Sequence, residues 1–214
     1  MLSETFFEQK KEHLIKNMKM LGAIKSKSVE NAFLQVKREN FFSFQKELAY
    51  VDNAFSIGFN QTISQPSTVG IMLELLEVKP AMRVLEIGSG CGYVLALLSK
   101  LVGGKGKVFG IELVPELFEV SKENLKIEKI ENVFPKFGNG KKGLIEEKPF
   151  DRILISAAVN DFPLTLIEQL AFDGRMVAPI GSSKMQQIQT LIKNRKGILS
   201  RETANGSYLF VPLR

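Results

Sequence analysis

The chain has 214 residues, 44% of them apolar, which supports one packed domain with a small N-terminal annex and excludes a disordered chain. The net charge is +6, but the basic residues are scattered, with doublets at Lys10-Lys11 and Lys141-Lys142, so charge permits a nucleic-acid partner without calling for one. A single cysteine excludes an internal disulfide, a single histidine excludes a multi-histidine metal site, and no apolar run approaches the ~20 residues of a membrane span.

Acids and bases mix in the first thirteen residues, which argues against a secretory signal and makes the cytoplasm the expected compartment. A serine triad would need His13 as its base, and nothing near His13 resembles a nucleophile.

Phe7, Leu14, Ile15, Met18 and Leu21 recur at helical spacing, and Ser28 is placed to cap a second helix carrying Val29, Ala32, Phe33 and Val36. Between Asn40 and Pro66 the periodicity fails, which predicts a long irregular segment of the kind that often carries function. Pro66 then opens a helix whose apolar face is Val69, Met72, Leu73 and Leu76. Strands are predicted at 83–87, 107–112, 133–137, 152–157 and 175–180, with helices at 93–101, 115–125 and 163–170 between them. Further strands are predicted around 188–192 and 208–213. Alternating β and α units imply an α/β fold with a doubly wound, mostly parallel sheet. The expected division is 1–65 for N-terminal helices and a substrate-side loop, and 66–214 for the main domain.

The sharpest motif joins the first of these strands to its helix: Glu86-Ile87-Gly88-Ser89-Gly90-Cys91-Gly92. Glycines are needed where backbone must turn tightly and meet a ligand closely. The spacing is G-x-G-x-G, and Tyr93 stands where a dinucleotide fingerprint would carry its third glycine. Glu112 ends the next strand 24 positions after Gly88, where a carboxylate can accept from both hydroxyls of a ribose. Glu86 lies in an otherwise apolar strand, where a carboxylate needs a partner; a cationic ligand or a basic side chain would serve. An adenosyl ligand with positive charge meets these conditions, and S-adenosyl-L-methionine is such a ligand.

Upstream, Ala49-Tyr50-Val51-Asp52 and then Ile57-Gly58-Phe59-Asn60-Gln61-Thr62-Ile63-Ser64-Gln65-Pro66 resemble the signature of the protein-L-isoaspartate O-methyltransferases. Pro149-Phe150-Asp151-Arg152-Ile153, Gly174-Arg175-Met176-Val177-Ala178-Pro179-Ile180-Gly181 and Phe210-Val211-Pro212-Leu213 match in order and spacing. The resemblance covers nearly the whole chain, and its 62–66 segment is more specific than the glycine loop. It implies a Rossmann-like methyltransferase that transfers a methyl group from S-adenosyl-L-methionine to the free α-carboxylate of isoaspartyl residues in damaged proteins. The ester then cyclises to a succinimide that hydrolyses partly to normal aspartate. By resemblance, Ser64 is the active-site residue, and Thr62, Ile63, Ser64 and Gln65 form the substrate segment. The cofactor positions are Glu86, Gly88, Ser89, Gly90, Gly92, Glu112, Leu113, Asn139 and Gly140, and no metal is implied.

The chain departs from the family at Asn139, where Asp is usual, and at Ala157-Ala158-Val159-Asn160, often Ala-Ala-Ala-Pro. A carboxylate acceptor is already ionised at neutral pH, so this chemistry requires no general base and suits a chain with one histidine. Thr62 and Ser64 would orient the acceptor, or alternatively cap the helix at Pro66. Two other readings stand beside this one: a methyltransferase acting on RNA or amines, and a non-catalytic adaptor that binds cofactor without turnover. The expected protein is a monomer acting on damaged proteins or peptides, with no nucleic-acid or membrane partner.

Overall fold

The N-terminal helices begin at serines that cap them. A computed structural model, describing residues 3–43 and 45–214, shows α1 at Glu4–Met20, with Ser3 Oγ accepting from the Phe6 amide at 3.1 Å. Helix α2 spans Lys27–Gln35 and is capped by Ser26 rather than by Ser28. The reason is tertiary. Glu74 Oε1 accepts from the Lys25 and Ser26 amides and from Ser26 Oγ, which fixes Ser26 in the extended conformation a cap requires. Leu14, Ile15 and Met18 are buried as expected, whereas Leu21 is 73% exposed because α1 ends one residue earlier and the chain reverses at Gly22.

The segment expected to be irregular holds two short 3₁₀ turns, at Arg38–Phe41 and Lys46–Leu48, and then an antiparallel hairpin. Its strands are β1, Phe55–Gly58, and β2, Gln61–Ile63, paired Phe55 to Ile63 and Ser56 to Thr62. Strands of four and three residues are too short to display alternation. Helix α3, Pro66–Leu76, buries Val69, Met72, Leu73 and Leu76.

The main sheet has β3 (Arg83–Ile87), β4 (Lys107–Glu112), β5 (Val133–Phe137), β6 (Phe150–Ile155), β7 (Leu170–Ser182), β8 (Met185–Lys193) and β9 (Leu199–Thr203). Between them run α4 (Tyr93–Val102), α5 (Pro115–Ile127) and the short α6 (Leu164–Ile167). The order across the sheet is β5-β4-β3-β6-β7-β8-β9. The pairs among β3 to β7 are parallel, and β8 and β9 join antiparallel. The α/β class and mostly parallel sheet therefore agree with the sequence pattern.

Several boundaries differ. Strand β6 starts and ends two residues before its predicted limits, and β7 begins at Leu170, where helix was expected. Leu170 pairs with Phe150 across a register shift, so tertiary pairing extends the chain ahead of its apolar run. The expected strand at 208–213 makes only isolated bridges, Gln186 to Tyr208 and Ala158 to Pro212; proline has no amide to continue a ladder. Strand β9 was not predicted: all five residues are exposed, so no apolar pattern marks it.

Two buried clusters flank the sheet, one around Leu85, Ile87, Phe109, Ile153 and Leu166. The other unites Leu14, Met18 and Phe33 with Leu73, Leu95 and Leu98, so one core runs across residue 65. Among the described residues no helix is long and apolar enough to cross a membrane. The strand order reverses between β3 and β6, where open α/β sheets form a crevice at their carboxyl ends.

Candidate active site

Strand β3 delivers the glycine loop to that crevice. Gly90 (φ +54) and Gly92 (φ +87) adopt left-handed conformations, and a Cβ on Gly92 would lie 3.2 Å from Ser121 Cβ. Their lack of a side chain lets the loop turn against α5 and present backbone to the cleft. The loop is tied to β4: Ile111 O accepts from the Gly88 amide at 2.9 Å and the Ser89 amide at 3.2 Å.

Glu112 is buried. Its Oε2 accepts from the Gly90 amide at 2.7 Å and its Oε1 from the Val114 amide at 2.9 Å, so one carboxylate braces both loops at the cleft mouth. It is therefore not a solvated strand end.

Glu86 is 1% exposed and has no basic partner among the described residues. Its Oε1 accepts from Ser156 Oγ at 2.7 Å, and its Oε2 is buried without a partner among the described residues, as is Ser89 Oγ. Burial pushes the Glu86 carboxyl up to about 8, against the Ser156 hydrogen bond, and the Glu112 carboxylate adds to the rise.

The cleft is lined by Gln61 and Thr62 from the hairpin, Ile87, Gly88 and Gly90, Glu112 to Val114, Gly140, Ser156 and Ala157, and residues 211–214. Glu86 stands behind this wall, one hydrogen bond from Ser156. Asn139 is exposed and outside the lining; its side chain accepts from the Lys141 amide at 2.9 Å and caps a 3₁₀ turn. Gly140 does line the cleft, packed so close to Ile87 that a Cβ would meet its Cγ2 at 2.4 Å.

A second groove adjoins the first, lined by Asn53, Ala54, Thr62, Ser64, Gln65, Thr68, Ser156 and the 207–211 segment. Thr62, Ser156 and Val211 face both cavities. Ile63 faces neither: its side chain is in the core, so it serves the segment only through its backbone. Neither Thr62 nor Ser64 caps α3. That role falls to Asp52, whose carboxylate accepts from the Ser67 amide at 2.8 Å and from Gln65 Nε2 at 3.2 Å. The Thr62 and Ser64 hydroxyls have no hydrogen-bond partner among the described residues and are free to meet a ligand.

Ser156 was missed by the sequence reading. Its amide donates to Ile87 O at 2.8 Å, immediately across the reversal in strand order, and that adjacency was the available signal.

A profile of the protein-L-isoaspartate(D-aspartate) O-methyltransferases matches residues 9–214. The chain belongs to this family. It is 40% identical over 213 residues to the protein-L-isoaspartate O-methyltransferase of Methanopyrus kandleri, covering 97% of this chain and 92% of that one. The isoaspartate methyltransferase of Methanococcus maripaludis is 43% identical over 203 residues, covering 94% and 93%. The crystal structure of a putative isoaspartate methyltransferase from Plasmodium falciparum, in complex with S-adenosyl-L-homocysteine, superposes with a TM-score of 0.84 at 28% identity, covering 94% of this chain and 97% of that one.

The isoaspartate methyltransferase reading fits the unsatisfied atoms. A ligand with a cationic end suits the buried, half-partnered Glu86, and one with ribose hydroxyls suits the carboxylate at the cleft mouth.

Proposed function

We infer that this isoaspartate methyltransferase transfers the methyl group of S-adenosyl-L-methionine to the free α-carboxylate of L-isoaspartyl residues in damaged proteins. The observation that carries this reading is the shared wall of Thr62, Ser156 and Val211 between the glycine-loop cleft and the groove containing Ser64. Two ligands seated in the two cavities meet at that wall.

S-adenosyl-L-methionine, when bound, supplies an activated methyl group. Gly88, Ser89, Gly90 and Gly92 shape the cradle, with Glu86 compensating positive charge from behind Ser156. Glu112 accepts hydrogen bonds from ribose hydroxyls on the lone pairs that the Gly90 and Val114 amides leave free. Leu113 and Gly140 border the adenine end, with Asn139 at its outer rim. The acceptor is ionised at pH 7, so the chain's contribution is alignment and exclusion of water. Ser64 and Thr62 donate hydrogen bonds that hold the carboxylate, Gln65 orients the neighbouring peptide, and Ile63 anchors the segment in the core. Ser64 is an orienting group and forms no bond to the methyl group.

Residues 1–65 then act as the substrate side and 66–214 as the cofactor side of one packed unit. A lone, unpaired cysteine suits a reducing compartment, and basic residues scattered along the chain offer no stripe for nucleic acid; the reading takes the protein as a cytoplasmic monomer acting on protein substrates, without nucleic-acid or membrane partners. The test supplies methyl-labelled cofactor with an isoaspartyl peptide and its aspartyl twin. Label on the first alone is expected; equal label on both, or on neither, contradicts the assignment.

A further inference from the structure

Arg38 has no exposed surface. A buried guanidinium is costly unless its charge is met, and a carboxylate partner is the usual solution. Arg38 has none: the arginine ion pairs among the described residues are those of Arg83, Arg175, Arg195 and Arg201. Its Nε donates to Ala49 O at 2.8 Å and its Nη2 to Ser64 O at 3.0 Å, while Nη1 is buried without a partner among the described residues. The charge rests on aromatic faces, with Cζ 4.6 Å from the Tyr93 ring centre and 5.5 Å from that of Phe42.

These contacts reach from the first turn of α4 to the groove that holds Ser64. Tyr93 directly follows the glycine loop, and Ser64 lies in the groove beyond the hairpin. The rigid fork bonds two carbonyls at once, which a lysine ammonium on a flexible stem cannot reproduce in the same geometry. Among the described residues Ser64 is otherwise held through its neighbours: Ile63 pairs with Phe55 on one side, and Asp52 holds Gln65 and Ser67 on the other. The Arg38 contact fixes the peptide plane of Ser64 itself.

We propose that Arg38 is a positioning residue for methyl transfer: its buried fork locks the Ser64 carbonyl to the turn at Ala49 and thereby sets the direction of the Ser64 hydroxyl. The inference rests on the role given to Ser64 above. A side chain present only to fill the core would act on folding and on cofactor binding alike. A positioning residue acts on the transfer step and leaves the cofactor cleft unchanged.

The experiment measures kcat and KM on an isoaspartyl peptide, and cofactor Kd by calorimetry, for R38K, S64A and the double variant. R38K keeps the charge but puts it on a single nitrogen, without the fork. It is expected to lower kcat about tenfold, with cofactor Kd within about twofold of the parent. In the S64A background the same change should add almost nothing, because the two residues act through one atom group. An unchanged kcat in R38K, a parallel loss of kcat and cofactor affinity, or an equal loss with and without Ser64 overturns the proposal. A parental rate in S64A alone overturns the reading of Ser64 and removes the route through it. Should R38K fail to fold, Y93L removes the closer aromatic face and loosens the same guanidinium; the same pattern is then required of it.

Discussion

Replacing Glu86 with glutamine removes a carboxyl that burial pushes up to about 8, the Ser156 hydroxyl opposing the shift and the Glu112 carboxylate adding to it. An unperturbed glutamic acid titrates near 4.3, so between roughly pH 4 and 8 the folded, cofactor-free protein holds a proton that the unfolded chain has released. The stability from this group is complete below that window and is lost as pH rises through 8, an amount on the order of 5 kcal/mol. The glutamine variant lacks this titration, so it should lose less stability than the parent between pH 5 and 9.

Cofactor binding acts on the same proton. A cation a few ångströms from Glu86 at an effective dielectric of ~20 favours the ionised carboxylate by about 3 kcal/mol, which lowers its pKa by roughly two units. Binding at pH 7 should then expel about 0.8 of a proton, and cofactor Kd should tighten by roughly 20-fold from pH 6 to 8. Calorimetry in two buffers of different ionisation enthalpy measures the proton directly, and Glu86→Gln should release none through this site. Equal proton release by parent and variant at pH 7, with parallel pH profiles of Kd, would refute the placing of positive charge near Glu86.

Ser64→Ala should lower kcat on an isoaspartyl peptide by roughly 10²-fold, the scale of a lost oxyanion donor, with little change in cofactor Kd; steady-state kinetics beside calorimetry checks both. Glu112→Ala should weaken cofactor binding at least tenfold and, because it strands the Gly90 and Val114 amides, should also cost about 1–3 kcal/mol of stability. Asp52→Ala removes the cap of α3 and should lower Tm by about 2–4 °C, the equivalent of about 1 kcal/mol in a chain of this size.

The sequence was most legible where local pattern and tertiary pairing agree. Strands β3, β4 and β5 lie where their apolar runs place them, and Pro66 and Pro115 open helices because proline suits a first turn. Legibility failed where partners far along the chain decide. Glu74, 48 residues away, selects Ser26 as a cap, and Phe150 draws Leu170 into β7. The glycine loop and Glu112 announced a cofactor cleft, but the bracing of Gly90 by Glu112 and the pairing of Glu86 with Ser156 appear only when β3, β4 and β6 stand side by side. Arg38 carried no sequence signal at all, since a lone arginine before a loop reads as surface.

The acceptor group is the central claim, and the stability of the product tests it most directly. A methyl ester releases methanol in mild alkali, whereas a methylated amine or nucleotide base keeps its label. A damaged-protein mixture incubated with the enzyme and methyl-labelled S-adenosyl-L-methionine should carry label that becomes volatile after mild base. Label that stays on the protein after that treatment, or that sits on RNA, would contradict carboxyl methylation.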